Sequence, residues 1–290
     1  MHTGIIWIRN ALRLNDNRVL VESLNSTNSQ NILPLYILNT SDLRQKNNDN
    51  RIKFLYESLI DLDSKFKAKL GTNLVILNGS SEDIFDKLLS SDLLNISEIF
   101  TDYSNKPDDV KNENSLKRIL AKNTSVKLHL ISKVNSLTNI EKIVNQESFK
   151  PPKTMKDMEK LFSNIYPKDE DGFYSIDEPL DIPESSKPVA KNYPEVVENY
   201  IFDVEKELSM LKMDFKSYFK GGESEAFLRL EKKVSSEEEY IRNFRKPRTI
   251  STNKPENPLE PETTGLSPYL SFGCLSPRLL WKETEKCYRN

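Results

Sequence analysis

Short, unbroken apolar runs separated by amphipathic stretches fill the first 135 residues, and this alternation limits the fold more than any other feature. The runs are Gly4–Ile8, Asn31–Leu38, Asn73–Leu77, Glu98–Tyr103 and Val126–Ile131. Consecutive residues of a strand face opposite sides, so continuously apolar strands belong in a parallel sheet covered on both faces. Between the second and third runs, within Arg51–Leu70, Ile52, Leu55, Leu59, Leu62 and Phe66 recur at the spacing of one helix face. Ser80 and Ser81, followed by Glu82 and Asp83, open a second helix containing Ile84, Leu88 and Leu89. Pro107 opens a third, running towards Ala121. Strand, helix and strand in repetition predict an α/β fold. The sheet is doubly wound and parallel, with about five strands in the order 3-2-1-4-5 or close to it. Residues 1–135 are expected to fold without the remainder.

The pattern changes after that point. Residues 136–204 read as an interdomain linker: 169–187 hold Asp169, Glu170, Asp171, Asp177, Glu178, Asp181 and Glu184 against the single base Lys187. Pro167, Pro179, Pro183, Pro188 and Pro194 interrupt the same stretch, as in an ordered but irregular connection or a partly flexible one. Residues 205–290 carry no strand pattern; Glu205–Phe219 and Glu223–Val234 are expected to be helical. Ser267-Pro268 and Ser276-Pro277 each set an N-capping hydroxyl before a proline suited to the first helical position. Leu266, Tyr269, Leu270, Phe272, Leu275, Leu279, Leu280 and Trp281 form an apolar set too large for these short helices to cover. This part is therefore expected to be loosely packed.

Composition removes several function classes. Forty-two basic residues stand against 44 acidic ones, a net charge of −2, which gives no global signal for nucleic acid. Two cysteines, Cys274 and Cys287, make neither a disulfide framework nor a zinc site, and His2 and His129 add no metal-ligand spacing. No G-x-G-x-x-G or G-x-x-x-x-G-K occurs among the eight glycines. No apolar run approaches the roughly 18 residues of a spanning helix, and no signal-peptide layout opens the chain. A soluble intracellular protein, nuclear or cytoplasmic, with no metal and no membrane partner, is expected.

The segment Glu262-Thr263-Thr264-Gly265-Leu266-Ser267-Pro268-Tyr269 is chemically the richest. Hydroxyls and a glycine before a helix start suit an anion, and a diphosphate is the natural occupant. The plain alternative is N-capping by Ser267 with a polar lead-in. A second cluster sets Arg242, Arg245, Lys246 and Arg248 around Phe244, either a phosphate grip or a solvated face after Glu237-Glu238-Glu239. A third, Trp7-Ile8-Arg9-Asn10 with Arg13 and Asp16, lies where the first strand enters its loop. That is the ligand side of an open parallel sheet. Alternatively, Asp16 pairs with an arginine and pins the turn.

Together these segments resemble one family. WIRNALRLNDNRVL resembles the opening of cryptochromes and DNA photolyases, and RIKFLYESLIDLDSKF their first long helix. FKGGESEAFLRLEK resembles the start of their helical domain, with Phe219 in place of the usual tryptophan. TTGLSPYLSFGCLSPRLL resembles the flavin-phosphate loop of animal cryptochromes and (6-4) photolyases.

The resemblance implies an α/β domain, which in some members carries a folate or deazaflavin antenna, linked to a helical domain that binds FAD. It assigns FAD-phosphate contacts to Lys246 (or else Arg245), Thr263, Thr264, Leu266 and Ser267, and no catalytic residue. It also implies that the family continues beyond Asn290, so the chain is expected to be the front portion, inactive alone. Activity in a full-length version would be light-driven repair of pyrimidine photoproducts in damaged DNA, a (6-4)-type carbon–carbon lyase. The alternative is a cryptochrome photoreceptor or circadian transcription regulator acting through clock or signalling proteins.

Overall fold

Two layers of helices enclose a parallel sheet whose strands are β1 (Thr3–Ile8), β2 (Asn31–Leu38), β3 (Val75–Asn78), β4 (Ile96–Asp102) and β5 (Lys127–Ile131). Their spatial order is β3-β2-β1-β4-β5, the order expected from the sequence. The computed structural model describes all residues except 47, 123–124, 148, 185–186, 191, 212–217, 245–252, 255–256, 262 and 290. Register follows from Gly4 opposite Ile32 on one side and Glu98 on the other. The two faces of β1 alternate strictly: Ile5 and Trp7 enter one core, Ile6 and Ile8 the other.

The helices of this half are α1 (Arg18–Asn25), α2 (Thr40–Lys46), α3 (Asp49–Leu70), α4 (Ser81–Leu89) and α5 (Pro107–Leu120). Their ends are set by local chemistry. Asn48 caps α3 by accepting from the Arg51 amide, and Gly71 closes it at φ +63°, a left-handed geometry that glycine adopts without strain. Ser80 caps α4 by accepting from the Asp83 amide, and Pro107 occupies the first turn of α5. Val75, Leu77, Ile84, Phe85, Leu88 and Leu116 fill the core between the sheet and the α4–α5 layer.

Residues 136–204 carry α6 (Ile140–Val144), α7 (Met155–Ile165) and α8 (Tyr193–Val197), and run along the sheet on either side of α8. Ile32 donates its amide to Pro188 and accepts from Ala190, so the strap fills the side of β2 that β3 leaves unpaired. Phe202 donates to the carbonyl of Ile76, covering the outer edge of β3. Lys187 donates to the carbonyls of Ser23 and Ser26, closing the end of α1 with a positive charge.

The last part holds α9 (Val204–Met210), α10 (Glu223–Leu230), a π turn at Glu231–Ser235, α11 (Glu238–Arg242), the strand pair β6 (Asn253–Lys254) and β7 (Asn257–Pro261), α12 (Ser267–Ser271) and α13 (Pro277–Arg289). Here the expectation of loose packing fails. Leu266, Tyr269 and Leu275 are buried, and Leu270, Phe272, Leu279 and Leu280 are packed against the same core. The cover comes from the α/β half: Phe54 on α3 meets the rings of Tyr269 at 5.3 Å and Phe272 at 4.9 Å. Gly221 and Gly273 allow this approach, because a Cβ would strike the backbone carbonyl of Phe54 at the first and of Asn10 at the second. Of the apolar set, Leu270, Leu280 and Trp281 do line an open hollow of about 570 Å³ with Phe173, Tyr174 and Tyr288.

A buried carboxylate gives the sheet a defined acid response. Glu98 on β4, 1% exposed, accepts from Ser26 Oγ at 2.6 Å and Asn28 Nδ2 at 3.2 Å, with His129 Nε2 3.0 Å away. Burial disfavours its charge, but the bonds from Ser26, Asn28 and His129 outweigh that and hold the carboxyl below its ordinary value. A carboxyl depressed on folding adds stability above its unfolded value, near 4.5, and loses it as the pH falls through the lower folded value. Glu98→Gln should therefore flatten the decline of the urea midpoint as the pH falls from neutral through the carboxylate range. An equally steep decline in the variant would contradict this.

Candidate functional site

Two places in this fold offer ligand chemistry. The first is the crevice beyond the carboxyl ends of the strands, where the connections from β1 and β4 diverge. A hollow of about 410 Å³ lies there, lined by Trp7, Tyr36, Asn39, Ser80, Asp109 and Lys111 among others. A smaller one of about 130 Å³ is lined by Lys106, Lys133 and Asn135. Between them Asn10 Nδ2 donates to Asp102 at 2.9 Å and Asp109 at 2.7 Å, and Arg9 is tied to Asp102. Arg9 thus stands at the crevice, its side chain committed to the wall and stacked on Trp7 at 4.9 Å.

Arg13 does something else. It is fully buried and donates to the carbonyls of Asn15, Asp16, Val134 and Gly273 and to Asn135 Oδ1. Burial pushes its guanidinium down to about 10. Asp16, also fully buried, pairs with an arginine, Arg278 on α13, at 2.9 Å. Glu223 accepts from the amides of Leu14 at 3.1 Å and Asn15 at 2.7 Å. These charges lock the loop after β1 to the helical part.

The second place is the segment before α12. Thr263 and Thr264 are half-buried, Leu266 is buried and Ser267 is exposed. Gly265 takes φ +66°. Ser267 is the first residue of α12 and does not cap it; Leu266 occupies the cap position without a side-chain bond. By contrast Ser276 caps α13, accepting from the amides of Arg278 at 3.1 Å and Leu279 at 3.3 Å. The hydroxyls of Thr263, Thr264 and Ser267 make no hydrogen bond to any described residue. Lys246, with Arg245 and Arg248, lies outside the described residues; Arg242 pairs with Glu238 at 3.9 Å. One residue without a local sequence signal joins the site: Arg229 of α10 donates its Nε to the carbonyl of Thr264 at 2.7 Å. Its Nη2 is buried without a partner, an unmet cationic donor beside the loop.

An α/β sheet with a crevice at its switch point is locked by buried charges to a helical part with a hydroxyl-bearing glycine loop, a two-part architecture with a candidate site in each part. The chain belongs to the DNA photolyase family, whose model matches residues 4–172. Cryptochrome-1 of Spalax judaei is 30% identical over 303 residues, a match covering 99% of this chain and 46% of that protein. Cryptochrome-2 of Gallus gallus is 28% identical, with coverages of 99% and 47%. The chain thus spans about half the length of the curated relatives it matches. Two solved structures share the fold: a Synechocystis cryptochrome (TM-score 0.75, 18% identity, covering 100% of this chain and 56% of that one) and an Agrobacterium tumefaciens class III photolyase (0.73, 20%, 100% and 54%). Among the described residues no helix is long and apolar enough to cross a membrane.

Proposed function

We propose that this chain carries the phosphate-binding wall of the flavin site in a photolyase- or cryptochrome-type blue-light flavoprotein. The observation that carries this is the hydroxyl set of Thr263, Thr264 and Ser267 around Gly265, which makes no hydrogen bond among the described residues, with the positive Arg229 alongside. Hydroxyl donors beside a buried cationic donor, which the missing Cβ of Gly265 lets approach the loop, fit a diphosphate. Thr263, Thr264 and Ser267 would bind the phosphates, Leu266 would pack beside them, and Lys246 would add charge. When bound, FAD supplies light-driven electron transfer. The solved photolyase of Sulfolobus tokodaii, described with two FAD molecules that imply a novel light-harvesting cofactor, supports FAD here. An antenna pigment, folate or deazaflavin by the family resemblance, would have the 410 Å³ hollow beyond β1 and β2 as its place.

Light-driven repair of pyrimidine photoproducts in DNA is the reading we favour on the family match. The curated relatives at about 30% identity, being cryptochromes, favour signalling through protein partners as the second reading. Both need more than this wall. Charge-assisted hydrogen bonds contribute roughly 1.5–3 kcal/mol each, and exposure to water removes most of that. Tight sites bury about 70–90% of a ligand, whereas Ser267 is exposed and Thr263 and Thr264 only half-buried.

FAD should therefore bind the 290-residue chain with a dissociation constant weaker than about 0.1 mM and be lost on gel filtration. In a fluorescence titration ADP should compete and riboflavin, which lacks phosphate, should not. Riboflavin binding as well as FAD would remove the phosphate loop from the site. Stoichiometric FAD retained through gel filtration would mean that a complete pocket exists.

A further inference from the structure

Arg229 is more than a neighbour of the loop. Its Nε donates to the Thr264 carbonyl at 2.7 Å, and its guanidinium lies over the Phe219 ring at 4.9 Å and near Tyr218 at 5.5 Å. A Cβ built on Gly265 would stand 2.8 Å from both Cζ and Nε, closer than real contacts allow. The path of the chain through φ +66° at Gly265 and the position of the guanidinium are therefore matched. Neither can be occupied by a larger group while the other stays. A planar guanidinium held by stacking and a directed N–H bond fixes a carbonyl in a way that an ammonium on a flexible stem does not. Meanwhile Nη2 keeps a buried donor with no acceptor. That cost is rarely tolerated without a partner or a role.

We propose that Arg229 is the positioning residue of the Thr263–Ser267 loop: it fixes Thr264 and Gly265, and its charge selects a diphosphate over an uncharged ring. The selecting half rests on the phosphate-site reading above; the positioning half does not. Arg229 holds the loop backbone, while Thr263, Thr264 and Ser267 meet the ligand. The nearest local ladder that this supports is that of α12, where Leu270 donates to Leu266 and Phe272 to Pro268.

Hydrogen exchange on the ligand-free full chain tests the positioning half. Arg229→Gln should speed exchange in residues 264–272 by about tenfold and leave α3 and β1 unchanged. Arg229→Lys should not restore protection, because it lacks both the planar stack and the Nε bond. Unchanged exchange in the loop, or loosening that spreads equally to α3, would overturn the proposal. Gly265→Ala gives a second arm that does not rely on losing the arginine. Its left-handed strain is the same in any background, but the collision with Arg229 exists only while Arg229 is present. Gly265→Ala should therefore loosen the loop more in the native chain than in an Arg229→Ala background, where only the left-handed strain remains. Full additivity would refute the matched fit.

The selecting half is read with inorganic pyrophosphate. Its affinity should fall at least about fivefold in Arg229→Gln and less than about twofold in Arg229→Lys, which keeps the charge. Equal loss in both variants would overturn charge selection. If the native chain does not bind pyrophosphate at all, the phosphate-site reading and charge selection fall together. The exchange result still decides whether Arg229 positions the loop.

Discussion

Replacing Asp16 by alanine should cost roughly 3–5 kcal/mol of folding stability, the range seen when one partner is removed from a buried ion pair. The side chain is fully buried and Arg278 is 1% exposed. Asp16 accepts from Arg278 Nε at 3.1 Å and Nη2 at 2.9 Å, from the Leu180 amide at 2.9 Å, and from the Ser276 hydroxyl. Without it, Arg278 keeps only the carbonyls of Lys133 and Ser136, and Arg13 loses a nearby compensating charge while remaining fully buried. Domains commonly hold only about 5–15 kcal/mol in total, so this loss is a large fraction. The melting temperature should fall by roughly 2–4 °C per kcal/mol. The double change Asp16→Asn with Arg278→Met should cost less than the sum of the two single changes, because the buried charge of Arg278 leaves with that of Asp16. Urea unfolding measures all of these. A loss under about 1 kcal/mol for Asp16→Ala would mean that Arg278 finds other compensation.

Much of the α/β half was legible because its determinants are local. Continuous apolar strands, the Ser80 cap, Pro107 and the spacing from Ile52 to Phe66 act within a few residues, and the crossover rules narrow the strand order to a few. The helical part was misread where its determinants are distant. Leu266, Tyr269 and Leu275 were weighed only against neighbouring short helices, whereas Phe54 and the loop after β1 cover them from some two hundred residues away. The same distance hid the partner of Asp16, which lies 262 residues on, although the residue type and its turn were visible. At the candidate site the loop itself was legible from its hydroxyls and glycine. Arg229 was not, since an arginine seven residues after Gly222 on a helix carries no local sign that it will reach Thr264.

The two halves should unfold as one unit, and residues 1–135 expressed alone should show no cooperative transition. The reason is the shared core. Leu12, Leu14, Phe54, Tyr56 and Leu59 are packed into one cluster with Ala226, Leu230, Tyr269 and Leu275, all buried. Fully burying a large apolar side chain contributes roughly 1.5–3 kcal/mol, so exposing several of them exceeds what a domain has to spare. The isolated fragment would also lose the Pro188–Ala190 strap on β2 and the acceptors that Glu223 offers to the Leu14 and Asn15 amides. Arg13 would lose the Gly273 carbonyl, and Asp16 would lose Arg278. The self-sufficiency expected from strand pattern alone did not include these debts. The chain's two tryptophans, Trp7 on β1 and Trp281 on α13, make the test direct. In Trp7→Phe and Trp281→Phe variants, fluorescence reports one half at a time, and coincident urea transitions mark two-state behaviour. The midpoints should agree within error and the slopes should match that of far-UV circular dichroism. If the Trp281 signal is lost well before the Trp7 signal, the α/β half stands alone and the buried charge lock does not couple the halves.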